Sequence, residues 1–398
     1  MSAPEETAYA PADEGEAAEI VRAAHQRRAK LDIVGGGALG GLGRPREGRE
    51  RLATRRLAGI VFHEPAEMTL RARAGTPLAA IEAALAPHGQ MLPFEPIDHR
   101  ALYGGAGEPT VGGLVATNAS GPRRISAGAA RDSLIGLRLV NGRGESVEAG
   151  GRVMKNVTGL DLVKLVCGAH GTLGLIAEAT FKLLPRPEAE ATVVIRRLED
   201  ERAIAAMTRA LGSPFGVSGA AAIGSGMGRE FPRVFLRLEG FADSVDYRAE
   251  RLIALLADMG AKHALRGEES QRIWRAVRDV EFLAEPRERA IWRVSLPPSK
   301  GARFVAALGE RALSHCYDWG GGLVWLASDP TVEAARAVRL ALAPLGGHAT
   351  LTRAPDALRA RVDVFEPMPP ALARLTRGVK ASFDPDGLIN AGRMYAGV

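Results

Sequence analysis

Three consecutive glycines, Gly35, Gly36 and Gly37, followed by Ala38, Leu39 and Gly40, present a run of backbone N–H groups with almost no side chain to shield them. Amides exposed in this way converge on an anion, which is the chemistry of phosphate binding. The spacing after Ile33 and Val34 also satisfies the dinucleotide fingerprint. A Rossmann site, however, needs a helix opening at the third glycine, and Gly41, Gly43 and Pro45 oppose one. The loop is therefore expected to cradle an anion by itself; a flexible surface turn is the plain alternative.

A second run, PTVGGLVATNASGP over 109–122, is dominated by small residues and hydroxyls. It is read as a loop for close backbone approach to a ligand, with Thr110, Gly113, Thr117, Asn118, Ser120 and Gly121 at hand. A packed connection between elements is the bland reading. A third run joins KNVTGLDL, 155–162, to GTLGLI, 171–176. Asp161 is expected either to cap a short apolar helix, 162–166, or to pair with a neighbouring arginine. Gly171, Gly174 and Ile176 sit on a turn feeding a buried strand, where amides can meet a planar ring.

These loops need a frame. Apolar spacing predicts a helix over 16–29 and a strand over 31–34. Strands at 59–63 and 68–72 follow, and Thr76 with Pro77 opens a helix to residue 85. Residues 132–140 and 145–149 flank Asn141 and Gly142, a hairpin signal. Pro185, Arg186 and Pro187 punctuate the chain, and the texture then changes to amphipathic helices, 198–211 and 244–259, with strands at 193–196 and 234–239. The fold class expected is α+β. Its parts are a loose tail, 1–15, a first domain, 16–187, an α/β cap, 188–365, and a segment, 366–398, returning to the first domain.

Of 398 residues, 46% are hydrophobic and 25% charged, which supports at least one substantial core. The acidic start lacks the basic and apolar regions of a secretory signal. Every apolar run is interrupted well short of a membrane span. The net charge of +6 comes from scattered arginines without a basic helix or interleaved aromatics, so nucleic acid is not the expected partner. Two cysteines exclude a disulfide framework, and no metal site is expected. A reducing cytoplasm is the default compartment.

Taken together, the glycine loop, PTVGG with ATNASG, the segment from Gly128 to Asp132, KNVTGLDL and GTLGLI resemble, in order and spacing, the vanillyl alcohol oxidase (PCMH-type) family of FAD-binding domains. LPFEP, SGPRR, GLRLVNGRGE, VMKNVTG and FDPDGLINAGRM are similar to the FAD-binding subunits of bacterial glycolate oxidases within that family. The similarity is dense over 16–187 and good from residue 366. The resemblance implies that residues 35–40 and the run from Thr110 to Gly121 hold the FAD pyrophosphate. Gly128, Asp132 and Ile176 would line the flavin or adenine side, with Asn390 and Arg393 closing the site. Ala391 stands where the family often has proline. Covalently flavinylated relatives place a histidine in the glycine loop, whereas this chain has Ala38, so non-covalent FAD is expected.

Oxidising a 2-hydroxy acid requires a base for the hydroxyl proton and a cation for the carboxylate. Catalytic relatives carry a histidine in a Ser-Gly-Glu-His-Gly pattern; the comparable stretch here, 346–353, reads GGHATLTR. His348 is thus the catalytic candidate without its motif, and Arg353 a weaker carboxylate clamp. His99 and His170 fall in no catalytic constellation. Three readings stay open: an FAD-bearing subunit working with a larger flavin subunit and an iron-sulfur subunit, membrane-bound only through them; a stand-alone 2-hydroxy acid dehydrogenase; and a non-catalytic assembly module. An iron-sulfur centre would sit in a partner, because two cysteines cannot ligate one.

Overall fold

The computed structural model describes residues 8–46, 48–151, 160–224 and 232–398; the KNVTG motif at 155–159 lies outside them. Residues 8–15 are not loose. Ala8–Tyr9 pairs in parallel with Glu50–Ala53, which pairs in parallel with Leu31–Val34. Asp13 accepts from the Glu16 amide at 2.9 Å and so starts the helix Glu14–Arg27 earlier than apolar spacing alone indicates. Its buried Ala17, Val21 and Ala24 pack with Leu31 and Leu52.

Among the described residues, a five-stranded antiparallel sheet runs Ile60–Glu64, Thr69–Arg73, Leu175–Lys182, Leu134–Val140, Ser146–Gly150. One face is covered by the helices Leu78–Leu85 and Val111–Thr117. The second of these replaces the irregular loop expected there. Thr110 caps it, and Val111, Leu114 and Val115, at helical spacing, are buried, which outweighs the poor propensity of the paired glycines. Asp161 does cap a short helix, Leu162–Val166, accepting from the Lys164 amide at 3.1 Å.

Among the described residues an eight-stranded antiparallel sheet follows in the order His263–Arg266, Ala189–Arg196, Arg233–Gly240, Val217–Ile223, Ser314–Asp318, Leu323–Ser328, Ala290–Ser295, His348–Arg353. Alternate residues go to opposite faces. Trp292, Val294 and Leu326 meet the helices Asp200–Leu211, Ala242–Leu255, Gly301–Leu308 and Val332–Leu342. Ile291, Trp325 and Phe235 meet Ile97 and Leu102, so this face looks toward the five-stranded assembly.

The segment after helix Pro370–Phe383 turns back to the glycine loop. Buried Lys380 donates to Asp384 and to the carbonyls of Thr172 and Ile389 at 2.5–2.7 Å. Leu31 and Ile389 then bridge in parallel, with the Asn390 amide donating to Leu31 O at 3.0 Å.

Candidate functional site

The strand Leu31–Val34 delivers the glycine loop against residues 107–110, backbone to backbone. A Cβ on Gly36 would stand 2.0 Å from the Glu108 carbonyl oxygen, and one on Gly107 would stand 2.3 Å from the Gly36 oxygen. The packing of two chain segments therefore requires glycine at position 36. Gly37 bridges to Glu108 with φ at 88°, a conformation open to glycine.

This loop forms one wall of a cavity of about 390 Å³. That volume lies within the range, about 300–1,000 Å³, of small-molecule and cofactor sites. Gly35, Gly36, Gly37, Ala38, Leu39 and Gly40 all line it, together with Thr110, Gly113, Thr117, Gly171, Gly174, Ile176, Asn390 and Arg393. Asn390 fixes the closing segment: its Oδ1 accepts from the Ile33 amide at 2.9 Å and its Nδ2 donates to His170 O at 3.1 Å.

Other expected contacts stand outside this wall. Asn118 Oδ1 accepts from the Arg131 amide and Ser120 Oγ from the Ala130 amide, each at 3.0 Å, so these side chains hold the chain behind the site. Gly121 packs its amide on Glu95 O. Asp132 accepts from the Ala129 amide at 2.8 Å, closing a local turn against Gly128. His348 is exposed at the start of an edge strand. Arg353 is not free as a clamp, since it donates to the carbonyls of Leu102, Ala284, Leu283 and Pro286.

Beside the expected Arg393, three arginines outside the expected set line the cavity. Arg46, Arg49, Arg51 and Arg393 face two carboxylates, Asp32 and Glu108, in the same wall. Arg46 pairs with Asp32 at 2.5 Å. Burial, eased by Asp32 but reinforced by Arg393 and Arg49, lowers its pKa to about 10. Arg49 donates to Ala391 O at 2.7 Å, while its Nε and Nη1, and the Arg393 Nε, are buried without a partner. The alternating arginines just past the glycine loop, 44–51, were the available clue.

His99 and His170 also line the cavity. Burial lowers the His170 pKa to about 3, with Arg393 and Arg293 adding to it; the ring packs edge-on to Phe365 and its Nδ1 lacks a partner. Burial likewise lowers His99 to about 4, helped by Arg293 and opposed by Asp98. Both imidazoles are therefore neutral near pH 7.

The donors fit the cofactor that the resemblance implies. Unpartnered buried guanidinium N–H groups beside a glycine loop suit a pyrophosphate, which would relieve the cost of leaving them unpaired. Val34, Ala74, Ile97, Leu114, Ala119 and Ile176 supply apolar wall for planar rings.

Residues 6–150 match the model of a family described as "FAD binding domain". Glycolate oxidase subunit GlcE of Escherichia coli (strain K12) is 36% identical over 379 residues, covering 95% of this chain and 96% of the relative. An uncharacterized FAD-linked oxidoreductase of Mycobacterium tuberculosis (strain ATCC 25618 / H37Rv) is 29% identical over 98% of this chain and 92% of its own. The fold is shared with 4-ethylphenol oxidase from Gulosibacter chungangensis, at a TM-score of 0.74 and 13% identity, over 99% of this chain and 91% of that one. On an identity of 36% spanning nearly the whole of both chains, the protein belongs to the FAD-binding oxidoreductase family that includes glycolate oxidase subunit GlcE.

Proposed function

We propose that this chain is the FAD-bearing subunit of a glycolate oxidase complex, oxidising glycolate or a related 2-hydroxy acid to the 2-oxo acid and passing electrons to a partner. The end-to-end likeness to a glycolate oxidase subunit carries the reading. In it, residues 16–187 hold the cofactor, 188–365 cover it and 366–398 close it. The glycine loop, Thr110, Arg49 and Arg393 would hold the pyrophosphate, and the apolar wall the rings. FAD, when bound, supplies the acceptor for the two electrons. Ala38 in the loop supports a non-covalent attachment.

The chain's own part in the reaction is to bind, to exclude water and to handle one proton. The unpartnered Nδ1 of the neutral His170 can accept a hydrogen bond from a bound hydroxyl, but a pKa held at about 3 makes it a weak proton acceptor, so turnover by this chain alone stands as the second reading. Onward transfer needs other subunits: Cys167 and Cys316 are both buried, burial raises both thiol pKa values, and an iron-sulfur cluster generally takes four protein ligands. A larger flavin subunit and an iron-sulfur subunit are the partners of this reading. Among the described residues no helix is long and apolar enough to cross a membrane, so attachment at the inner face would pass through those partners.

A visible spectrum of the purified chain, acid release of the flavin and anaerobic addition of glycolate test this. Stoichiometric FAD released by acid supports non-covalent cofactor binding. Bleaching by glycolate favours turnover by the chain alone, and bound FAD that stays oxidised favours dependence on partners. A colourless chain that cannot be reconstituted sinks the reading and leaves an assembly module.

A further inference from the structure

A buried guanidinium is costly unless acceptors surround it. The eight-stranded assembly obeys this rule at Arg237, which meets Glu95 and Glu239, at Arg339, which meets Glu366 and three backbone carbonyls within 3.0–3.5 Å besides Ala349 O, and at Arg353 with its four carbonyls. Arg124 and Arg293, both half-buried and so still open to solvent, are left without such acceptors. Among the described residues neither guanidinium has a hydrogen bond or an ion pair. Both instead lie over the indole of Trp319, at 4.6 and 5.1 Å from its centroid.

The indole itself is fixed. Its Nε1 donates to Gly121 O at 3.1 Å, and its backbone amide donates to Asp318 at 2.7 Å. Arg293 belongs to the strand Ala290–Ser295 and alternates with Trp292 and Val294, which face the helices; it therefore projects on the face turned toward the five-stranded assembly. Thr350 is its cross-strand neighbour, and His348 is that of Ser295. Two positive charges are thus held together where repulsion disfavours them. Burial and then Arg124 lower the Arg293 pKa to about 10. Asp318, the acid that acts on Arg293, offsets the charge only in part, since burial raises its carboxyl to about 7, and Asp132 acts on Arg124. The field of Arg293 reaches His99 and His170 in the cavity wall.

We propose that Arg124 and Arg293, braced on Trp319, form the clamp for the substrate carboxylate and set a preference for anionic over neutral alcohols. This rests on the hydroxy acid reading above and names the residues that would select the substrate. Planar guanidinium groups donate paired charge-assisted hydrogen bonds to a carboxylate, and loss of such bonds has a large effect in a low-dielectric site.

The test is calorimetric titration of the full chain with oxalate, a dicarboxylate with no C–H to oxidise, alongside the visible spectrum and FAD content. Saturable binding is expected, weakened about 10- to 100-fold in Arg293→Met and about 10-fold in Arg124→Met, with Arg293→Lys between wild type and Arg293→Met. FAD content should stay that of wild type in all three. Arg293→Met and Arg124→Met that bind oxalate as tightly as wild type overturn the clamp, as does a wild-type chain that gives no heat with oxalate. Should Arg293→Met lose its flavin, Arg124→Met and Arg293→Lys decide. A colourless wild-type chain overturns the FAD reading instead, while the calorimetric comparison still reads the clamp.

Discussion

Arg237 Nη1 donates to Glu95 Oε1 at 2.8 Å and its Nη2 to Glu95 Oε2 at 2.9 Å, a two-pronged ion pair joining the eight-stranded sheet to the LPFEP loop. The side chains are 1% and 13% exposed. Burial alone would raise the Glu95 pKa, but Arg237 and then Arg123 outweigh it and hold it at about 2. Removing either partner strands a charge in the interface. Glu95→Gln and Arg237→Met should each cost about 3–5 kcal/mol, and the double variant less than their sum. Urea unfolding at pH 7 with unchanged m-value would read this; single costs below about 1 kcal/mol would show that the pair is solvated in solution.

The glycine loop offers a contrast between two small changes. Gly36→Val should abolish FAD retention, because even its Cβ would meet the Glu108 carbonyl at 2.0 Å. Gly378→Ala, in the helix Pro370–Phe383 with open space around the new methyl, should keep the flavin and add about 0.5–1 kcal/mol of stability. Flavin-to-protein absorbance ratios after gel filtration, with thermal melts, report both. Normal flavin in Gly36→Val would mean that the loop is not part of the cofactor wall.

Arg49→Met and Arg393→Met should each weaken FAD about tenfold, through loss of a charge-assisted contact to phosphate. Raising salt should weaken wild type more than either variant. Exposed His348 gives the control, since His348→Ala should leave FAD bound. Equal flavin loss in all three would erase the distinction between cofactor wall and sheet edge.

Acid should act on stability through three groups with opposed signs. His99 and His170 have folded pKa values lowered to about 4 and about 3, so the unfolded chain takes up their protons first as pH drops below 6.5, and stability falls. Asp318 is raised to about 7 in the fold, so it takes up its proton in the folded state first, and stability rises as pH falls from 7 toward 4. Between pH 6 and 5 each group contributes about 1.4 kcal/mol per pH unit. Relative to wild type, Asp318→Asn should lose stability faster on acidification by about that slope, and His170→Asn more slowly by the same amount. Parallel pH profiles for the three proteins would remove these groups from the account.

Much of the frame was legible because it is local. The strand Leu31–Val34, the Asp161 cap and the return of the segment around Asn390 follow from spacing, capping chemistry and motif. The helix Val111–Thr117 was not, since its glycine pair argues against a helix and only burial of Val111, Leu114 and Val115 reverses that. Gly128 and Asp132, expected on the flavin or adenine side, form a turn that does not line the cavity. Arg49, His99 and His170 escaped for a different reason: their roles depend on which distant segments share a wall. The pair Arg124 and Arg293 illustrates this most plainly, for nothing in the sequence near either announces the other.

The bridge between Leu31 and Ile389 has a consequence for biogenesis. A ribosome producing this chain makes the glycine loop early, yet Asn390 and Arg393, which brace and close it, emerge hundreds of codons later. A nascent chain halted before residue 390 would expose an unfinished anion cradle, its Ile33 amide still without the Asn390 side chain that accepts from it. Flavin loading should therefore be a post-translational event, and ribosome-stalled intermediates should remain colourless however much of the sheet they have already built.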